Sequence, residues 1–242
     1  MSCLPRLAVV PFALCLPLSA AAADHRKPFQ SEIDLSYARV QGDSDASTLS
    51  GETMLEWNQP KWREQFHALA YHQKQDGTTS AERYSTDGEV DYKFTDTRYT
   101  YGSASYDDDR FSGYDYETAV SVGYGWTLID DGTTLLSVDT GPGYRYRKLK
   151  DPGASDEGGG EVIYRASGRY ETDVTETLRF RQSLEVKAGR SSTQTTSKTT
   201  LLNKMTDHLS LKVSYALDHE TNVPAGKPKT NTRFTLGVAY KN

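Results

Sequence analysis

The chain has almost no cysteine, and its two thiols, Cys3 and Cys15, both lie within the first 23 residues. That segment reads as a secretory signal: Arg6 precedes the apolar run 7–18, and four alanines at 20–23 follow it. A lipoprotein site at Cys15 is a weaker alternative, because the residues before that thiol are a poor match. Cleavage after Ala23 would leave no thiol, which excludes disulfides, thiolate metal sites and cysteine nucleophiles. We therefore expect a signal peptide at 1–23 and one domain at 24–242.

Long hydrophobic runs and a basic excess are also missing. No stretch reaches the roughly 18 apolar residues of a membrane-spanning helix. The formal net charge is −5, and loss of Arg6 with the signal makes it −5 − 1 = −6, which argues against a nucleic-acid partner. Mean hydropathy is only −0.68, yet the chain contains 16 Tyr and 3 Trp. Disordered chains are poor in aromatics, whereas a membrane barrel combines a polar interior with many aromatic residues.

Side chains alternate along most of the chain with a period of two, which is typical of β-strands. From Glu82 to Phe94, apolar or small residues occupy one parity and charged residues the other. Similar segments recur from Ile33 to Tyr240 and predict about twelve strands. Two regions are less clear: the facing of the strand around His67 stays open, and the Ser/Thr-rich stretch 191–200 predicts a strand only in its second half.

The predicted connections alternate between short and long. Short breaks fall near Asn58, Asp96, Asp130, Thr175 and Lys204, and longer polar ones near Asp43, Asp76, Asp109, Asp156, Ser192 and Val223. This alternation is typical of an outer-membrane barrel, with tight periplasmic turns, longer external loops and both termini on the periplasmic side. The predicted fold is an all-β, closed, antiparallel up-and-down transmembrane β-barrel, in which the strand from Thr230 pairs with the first because hydrocarbon tolerates no free sheet edge.

Aromatic residues fall into two predicted girdles at the membrane boundaries. The inner girdle, beside the short turns, comprises Trp57, Trp62, Tyr92, Phe94, Tyr99, Tyr101, Trp126 and Tyr170. The outer girdle, toward the longer loops, comprises Tyr84, Tyr106, Tyr116, Tyr144 and Tyr164.

Three segments carry a family resemblance: residues 107–125 (DDDRFSGYDYETAVSVGYG), 141–147 (GPGYRYR) and 219–240 (HETNVPAGKPKTNTRFTLGVAY). In this order they resemble the YdiY-like, salt-induced outer-membrane proteins of Gram-negative bacteria, over about Ser31 to Tyr240. The resemblance implies an outer-membrane β-barrel linked to salt or osmotic stress, and it brings no catalytic residues. Expected partners are outer-membrane lipid, lipopolysaccharide and the barrel-assembly machinery, and the oligomeric state stays open.

The inward parity carries many charges. A candidate basic wall comes from three consecutive strands: Arg145, Arg147, Arg165, Arg169, Arg179 and Arg181. The candidate lumen acids are Asp87, Glu89, Asp91, Asp139, Glu161 and Glu185. These charges would either line a water-filled passage that selects solutes, or pair on neighbouring strands and fill the lumen. If a pore exists, the basic wall predicts a preference for small anions.

Enzyme, metal and cofactor sites find little support in the sequence. His67 and His72 are five residues apart, face opposite sides and have no serine or acidic partner at a recognisable spacing. The acidic groups Asp107 to Asp109 and Asp43 with Asp45 lack the pattern of a calcium loop. We expect no cofactor, and a structural or permeability role in the envelope. A soluble secreted barrel is the remaining alternative, and it would place the charged parity outside.

Overall fold

A computed structural model of the chain describes residues 28–40, 45–150, 159–224 and 226–242. The predicted signal at 1–23, Asp43 and most of the predicted loop around Asp156 lie outside these residues. The described residues form one closed antiparallel barrel. Its strands are β1 (Phe29–Val40), β2 (Ala46–Asn58), β3 (Trp62–Gln75), β4 (Thr78–Thr95), β5 (Arg98–Asp109), β6 (Tyr114–Asp130), β7 (Thr134–Leu149), β8 (Gly159–Asp173), β9 (Leu178–Gly189), β10 (Thr193–Lys204), β11 (Leu209–Glu220) and β12 (Thr230–Lys241).

The barrel closes between its first and last strands. Ile33 of β1 lies opposite Tyr240 of β12, and Leu35 lies opposite Val238. All other neighbours in the ring are also neighbours in sequence, which confirms the predicted up-and-down order. Closure gives the backbone groups of every strand a partner on both sides. In the part of the chain that the structure describes, no helix has the length and apolar character needed to cross a membrane.

Alternate side chains of each strand point outward and into the lumen. In β1, Ile33 and Leu35 are exposed on the outer surface, whereas Glu32 and Asp34 are buried inside. In β3, Trp62 and Phe66 point outward, and Arg63 and Tyr71 are buried. Because His67 shares its parity with Arg63, it points into the lumen, which decides the facing that the sequence left open.

The two ends of the barrel differ. One end, here called the turn end, carries the connections 59–61, 96–97, 131–133, 174–177 and 205–208 together with the start of β1 and the end of β12. The other, the loop end, carries the connections 41–45, 76–77, 110–113, 150–158, 190–192 and 221–229. The predicted longer connections are therefore wrong at three positions: those near Asp76 and Ser192 are short, and that near Asp109 has four residues, the same as 174–177 and 205–208.

The connection at Asp76 is short for a local reason. Asp76 and Gly77 alone join β3 to β4, and both have left-handed backbone angles, with φ of 50° and 76°. Two consecutive residues of this kind make the tight hairpin turn for which the pair Asp-Gly is favoured. Near Ser192, β10 already begins at Thr193, so the Ser/Thr-rich stretch is a strand for most of its length.

Side-chain oxygens organise several connections at the turn end. Asp131 Oδ1 accepts backbone hydrogen bonds from Thr133 and Thr134, and Thr175 Oγ1 accepts them from residues 177 and 178. These bonds satisfy turn N–H groups that have no ladder partner. The backbone N–H of Thr134 is the main cause that holds the pKa of the Asp131 carboxyl below its ordinary value.

Aromatic rings form two bands on the outer surface. Near the turn end, Trp62, Tyr92, Phe94, Tyr124 and Trp126 make a continuous chain, with ring centroids 4.9 to 6.1 Å apart. Toward the loop end, three tyrosines follow one another across β5, β6 and β7: Tyr106, Tyr116 and Tyr146. The spacing of the rings suits the offset and edge-to-face contacts that aromatic pairs prefer.

Two residues of the predicted inner girdle are not on the outer surface. Tyr99 and Tyr101 point into the lumen and are each 3% exposed. Gly125 lies opposite Tyr99, and Gly123 opposite Tyr101, on β6. A Cβ at Gly125 would lie 2.2 Å from Tyr99 Cζ, so the ring occupies the space that a side chain would need. The outward facing predicted for Tyr99 and Tyr101 is therefore wrong, because tyrosine was expected at a lipid boundary, whereas Tyr106 on the other parity of β5 lies on the outer surface as predicted.

We predict that Gly125→Ala destabilises the barrel by about 1–3 kcal/mol, because the new methyl group overpacks against a buried ring. Urea unfolding in lipid vesicles measures the change. Gly102→Ala is the matched control, since a Cβ there has no atom within 4 Å. Equal stabilities of the two variants would contradict the proposed packing of Tyr99 on Gly125.

Spin labels test the facing of the strands. Labels at Val120 and Val162, which are exposed on the outer surface, should contact lipid-borne oxygen in a bilayer, as should a label at Val213. Labels at Arg165 and Glu185 should be protected from it. The reverse pattern would support a soluble barrel with its charged parity outside.

Candidate functional site in the lumen

All twelve charged residues singled out from the sequence lie on the lumen side, and each is paired with a group of opposite charge or with His67. Arg145 binds Glu161, and Arg147 binds Glu117 and Glu220. The remaining pairs are Arg165 with Glu89, Asp139 and Glu185, Arg169 with Glu56 and Glu171, Arg179 with Glu171 and Asp173, Arg181 with Glu32 and Glu171, Asp91 with Arg63, and Asp87 with His67. The six arginines therefore do not form an unbalanced basic wall.

Arg165 is the centre of one cluster. Its guanidinium lies 2.8 Å from Asp139 of β7, 2.6 Å from Glu185 of β9 and 3.0 Å from Glu89 of β4. It also lies over the ring of Tyr101, 4.9 Å from the centroid. A planar, always charged guanidinium with five donors suits this arrangement of three carboxylates and an aromatic face.

A second cluster crosses the lumen toward the loop end, and we call it the plate. Arg83 of β4 binds Asp107 of β5 at 2.7 Å and Asp218 of β11 at 2.8 Å. Asp218 also accepts from Arg233 of β12 at 3.1 Å. In a ring of twelve strands β4 and β11 are five places apart, so the plate reaches nearly the full width of the barrel.

A third chain of contacts, the floor, crosses the lumen below the plate. It runs from Lys198 of β10 through Glu52 to His67, and from His67 to Asp87 of β4. His67 Nε2 lies 2.6 Å from Glu52, and Nδ1 lies 2.8 Å from Asp87. Both ring nitrogens are thus engaged by carboxylates, and neither is left to activate a serine. The acidic partners that the sequence analysis did not find come from β2 and β4, the two strands that flank β3, and Asp87 lies directly opposite His67 in the register.

The turn end of the lumen is also bridged. Arg169 of β8 lies 3.4 Å from Glu56 of β2, and these strands are six places apart in the ring, on opposite sides of the barrel. Arg181 of β9 lies 2.8 Å from Glu32 of β1. Lys212 of β11 adds contacts with three carboxylates, those of Glu32, Asp34 and Glu52. Side chains therefore meet across the lumen at several levels.

Two polar cavities remain between these clusters. The central chamber, of about 250 Å³, lies between the plate and the floor. The vestibule, of about 480 Å³, lies on the loop-end side of the plate. Arg83, Asp107, Asp218 and Arg233 line both cavities, so the plate is the partition between them.

The connection between β11 and β12 covers the vestibule from the side opposite β5 and β6. Pro224 packs against Gly113, where a Cβ would lie only 2.3 Å from Pro224 Cγ. Lys227 Nζ donates to the backbone oxygen of Phe111 at 2.8 Å. Because these two connections lie six places apart in the ring, this contact spans the mouth of the barrel.

The acidic loop groups have structural partners. Asp107 belongs to the plate, and Asp109 Oδ1 accepts backbone hydrogen bonds from Phe111 and Ser112. Within the described residues, no group of three or more histidine or acidic side chains could hold a metal ion.

We predict that Arg165→Met destabilises the barrel by about 3–5 kcal/mol, because three buried carboxylates lose their shared partner. Urea unfolding in vesicles again provides the measurement. Lys148→Met is the control, since Lys148 forms one exposed pair with Asp115 and should leave the midpoint unchanged. A midpoint for Arg165→Met equal to that of the control would show that the cluster contributes nothing.

Comparison with known proteins agrees with this architecture. The chain is 27% identical over 219 residues to the uncharacterized protein YdiY of Escherichia coli (strain K12), covering 90% of this chain and 85% of that protein. Among solved structures it resembles the NanC porin, with a TM-score of 0.56, 12% identity and coverage of 87% and 98% of the two chains. It also resembles an outer membrane channel from Pseudomonas putida F1, with a TM-score of 0.51, 12% identity and coverage of 88% and 95%. At this identity the two structures show a shared fold.

Residues 33–241 match the family described as "Protein of unknown function, DUF481". This match covers nearly the whole barrel, and it confirms the resemblance read from the three sequence segments. The chain therefore belongs to this YdiY-like family.

Proposed function

We propose that the protein is an outer-membrane barrel with a structural role in the envelope, whose lumen is closed at rest by ion pairs. The observation that carries the proposal is the contact between Arg169 and Glu56, which joins strands on opposite sides of the ring. The plate repeats such a crossing nearer the loop end, through Arg83 and Asp218. A lumen bridged at two separate levels leaves no straight path for hydrated ions.

The placement in the membrane follows from the outer surface. Aliphatic residues such as Val162, which is 71% exposed, would contact hydrocarbon, and the two aromatic bands would lie at its boundaries. The turn end would face the periplasm and the loop end the cell exterior, where lipopolysaccharide is the expected neighbour. Export through the predicted signal and insertion by the barrel-assembly machinery belong to the same proposal, as does the link to salt stress implied by the family resemblance.

A second candidate is a narrow channel for small solutes, and the two adjoining cavities favour it. Movement of the plate would join them into one passage. Seven carboxylates and five lysine or arginine side chains line the central chamber. Six carboxylates and four lysine or arginine side chains line the vestibule. Since the arginines of the predicted basic wall are all paired, such a passage would favour small cations, the reverse of the preference expected from the sequence.

Single-channel recording in planar bilayers tests the closed lumen. The wild-type protein should show small and infrequent openings. The double variant Arg83→Ser with Asp218→Ser removes both partners of the main contact in the plate without changing net charge. It should open more often and to a larger conductance, and reversal potentials should show a preference for cations.

The matched control removes an ion pair on the outer surface, Lys148→Ser with Asp115→Ser. It should behave like the wild type. Large, steady wild-type currents would contradict the closed lumen, and identical behaviour of the two double variants would show that the plate does not control passage. A preference for anions would contradict the expected selectivity.

A further inference from the structure

The central chamber is a cavity of about 250 Å³ lined mainly by charged and hydroxyl side chains. The plate separates it from the vestibule, and the chain from Lys198 to Asp87 crosses below it. Its space exists because the inward positions beside it carry short side chains, where other levels of the lumen carry tyrosine or arginine. Ser105 and Ala119, for example, lie side by side on β5 and β6.

One wall of the chamber differs in charge from the rest. Below the plate, β4, β5 and β6 present only carboxylates and short side chains to the chamber. The strand register places these side chains in two adjacent rows. In one row Asp87 lies opposite Ser105. In the other, Glu89 lies opposite Ser103, and Ser103 lies opposite Ser121. The lysines and arginine of the chamber below the plate come from β8, β9 and β10 instead: Arg165, Lys187 and Lys198.

Two groups on this wall have unused hydrogen-bonding capacity. Ser121 is 4% exposed, and its hydroxyl lines the chamber without a hydrogen bond to any described residue. The Asp87 side chain is 57% exposed, and its only ion-pair partner among the described residues is His67, on Oδ1. A buried hydroxyl and an open carboxylate are acceptors for a ligand that brings its own donors.

We propose that the central chamber binds a small organic cation with a primary ammonium group. An ammonium group carries three donors and one positive charge, which suits Asp87, Glu89 and the neighbouring serine hydroxyls. Seven carboxylates line the chamber, against five lysine or arginine side chains and His67. The Asp87 side chain is 57% exposed and has His67 as its ion-pair partner among the described residues, so its carboxylate favours a cation over an anion. The inference goes beyond the closed barrel proposed above, because a solute that enters from the vestibule and binds needs no path through the turn end.

Ethylammonium is a suitable probe, with ethanol and acetate as neutral and anionic compounds of similar size. Binding to the full-length protein in nanodiscs is measured by saturation-transfer NMR, which does not depend on conduction. Ethylammonium should bind at least about tenfold more tightly than ethanol or acetate. Asp87→Asn should weaken its binding about tenfold, as expected for loss of one charged hydrogen-bond partner.

Asp173→Asn is the matched control, because Asp173 pairs with Arg179 at the turn end, outside the chamber. It should bind ethylammonium like the wild type. Ser105→Leu tests the site without a change of charge, since the larger side chain fills the chamber and should abolish binding even if Asp87→Asn does not fold. Equal binding of ethylammonium and acetate, no binding of ethylammonium, or unchanged binding in Asp87→Asn or Ser105→Leu would each overturn the proposal.

Discussion

Charged side chains inside a narrow barrel must find partners within it, and this constraint organises the whole lumen. Leaving a buried guanidinium or carboxylate without a partner costs far more free energy than the complete ion pair contributes to stability. Arg165 satisfies the requirement with three carboxylates from three strands, and Lys212 does so with three others. Because some of the partners, such as Glu89 for Arg165 and Glu52 for Lys212, come from strands that are not neighbours in the ring, these contacts also tie the walls of the barrel together.

The same interior also depends on where side chains are short. Gly123 and Gly125 leave space that Tyr101 and Tyr99 fill, and these rings in turn lie under the guanidinium groups of Arg165 and Arg63. At the level of Ser105 and Ala119 no large side chain fills the gap, and the central chamber results. A twelve-stranded barrel is wider than one that side chains fill completely and narrower than a general porin. The choice of residue at each level therefore decides whether the lumen is filled or open.

Function follows from that balance. The crossings by Arg83 and Arg169 are the basis for proposing a barrel that is closed at rest, and under the further proposal the central chamber would be the place that holds a solute. The covering contact between Pro224 and Gly113 lies at the same mouth. A structural role and a selective site are compatible, because each uses a different level of the lumen.

The sequence alone determined the strand number, the up-and-down order, the closure and the facing of most residues. Period-two patterns and turn residues are local signals, and the resemblance carried by the three family segments independently implied an outer-membrane β-barrel. The tight turn at Asp76 and the early start of β10 were local signals that were missed. Which charges pair was decided by the tertiary structure, since Arg169 and Glu56, or Lys198 and Glu52, meet only when the ring closes. The inward position of Tyr99 likewise required its neighbour Gly125, because parity within one strand does not show which face has room for a ring.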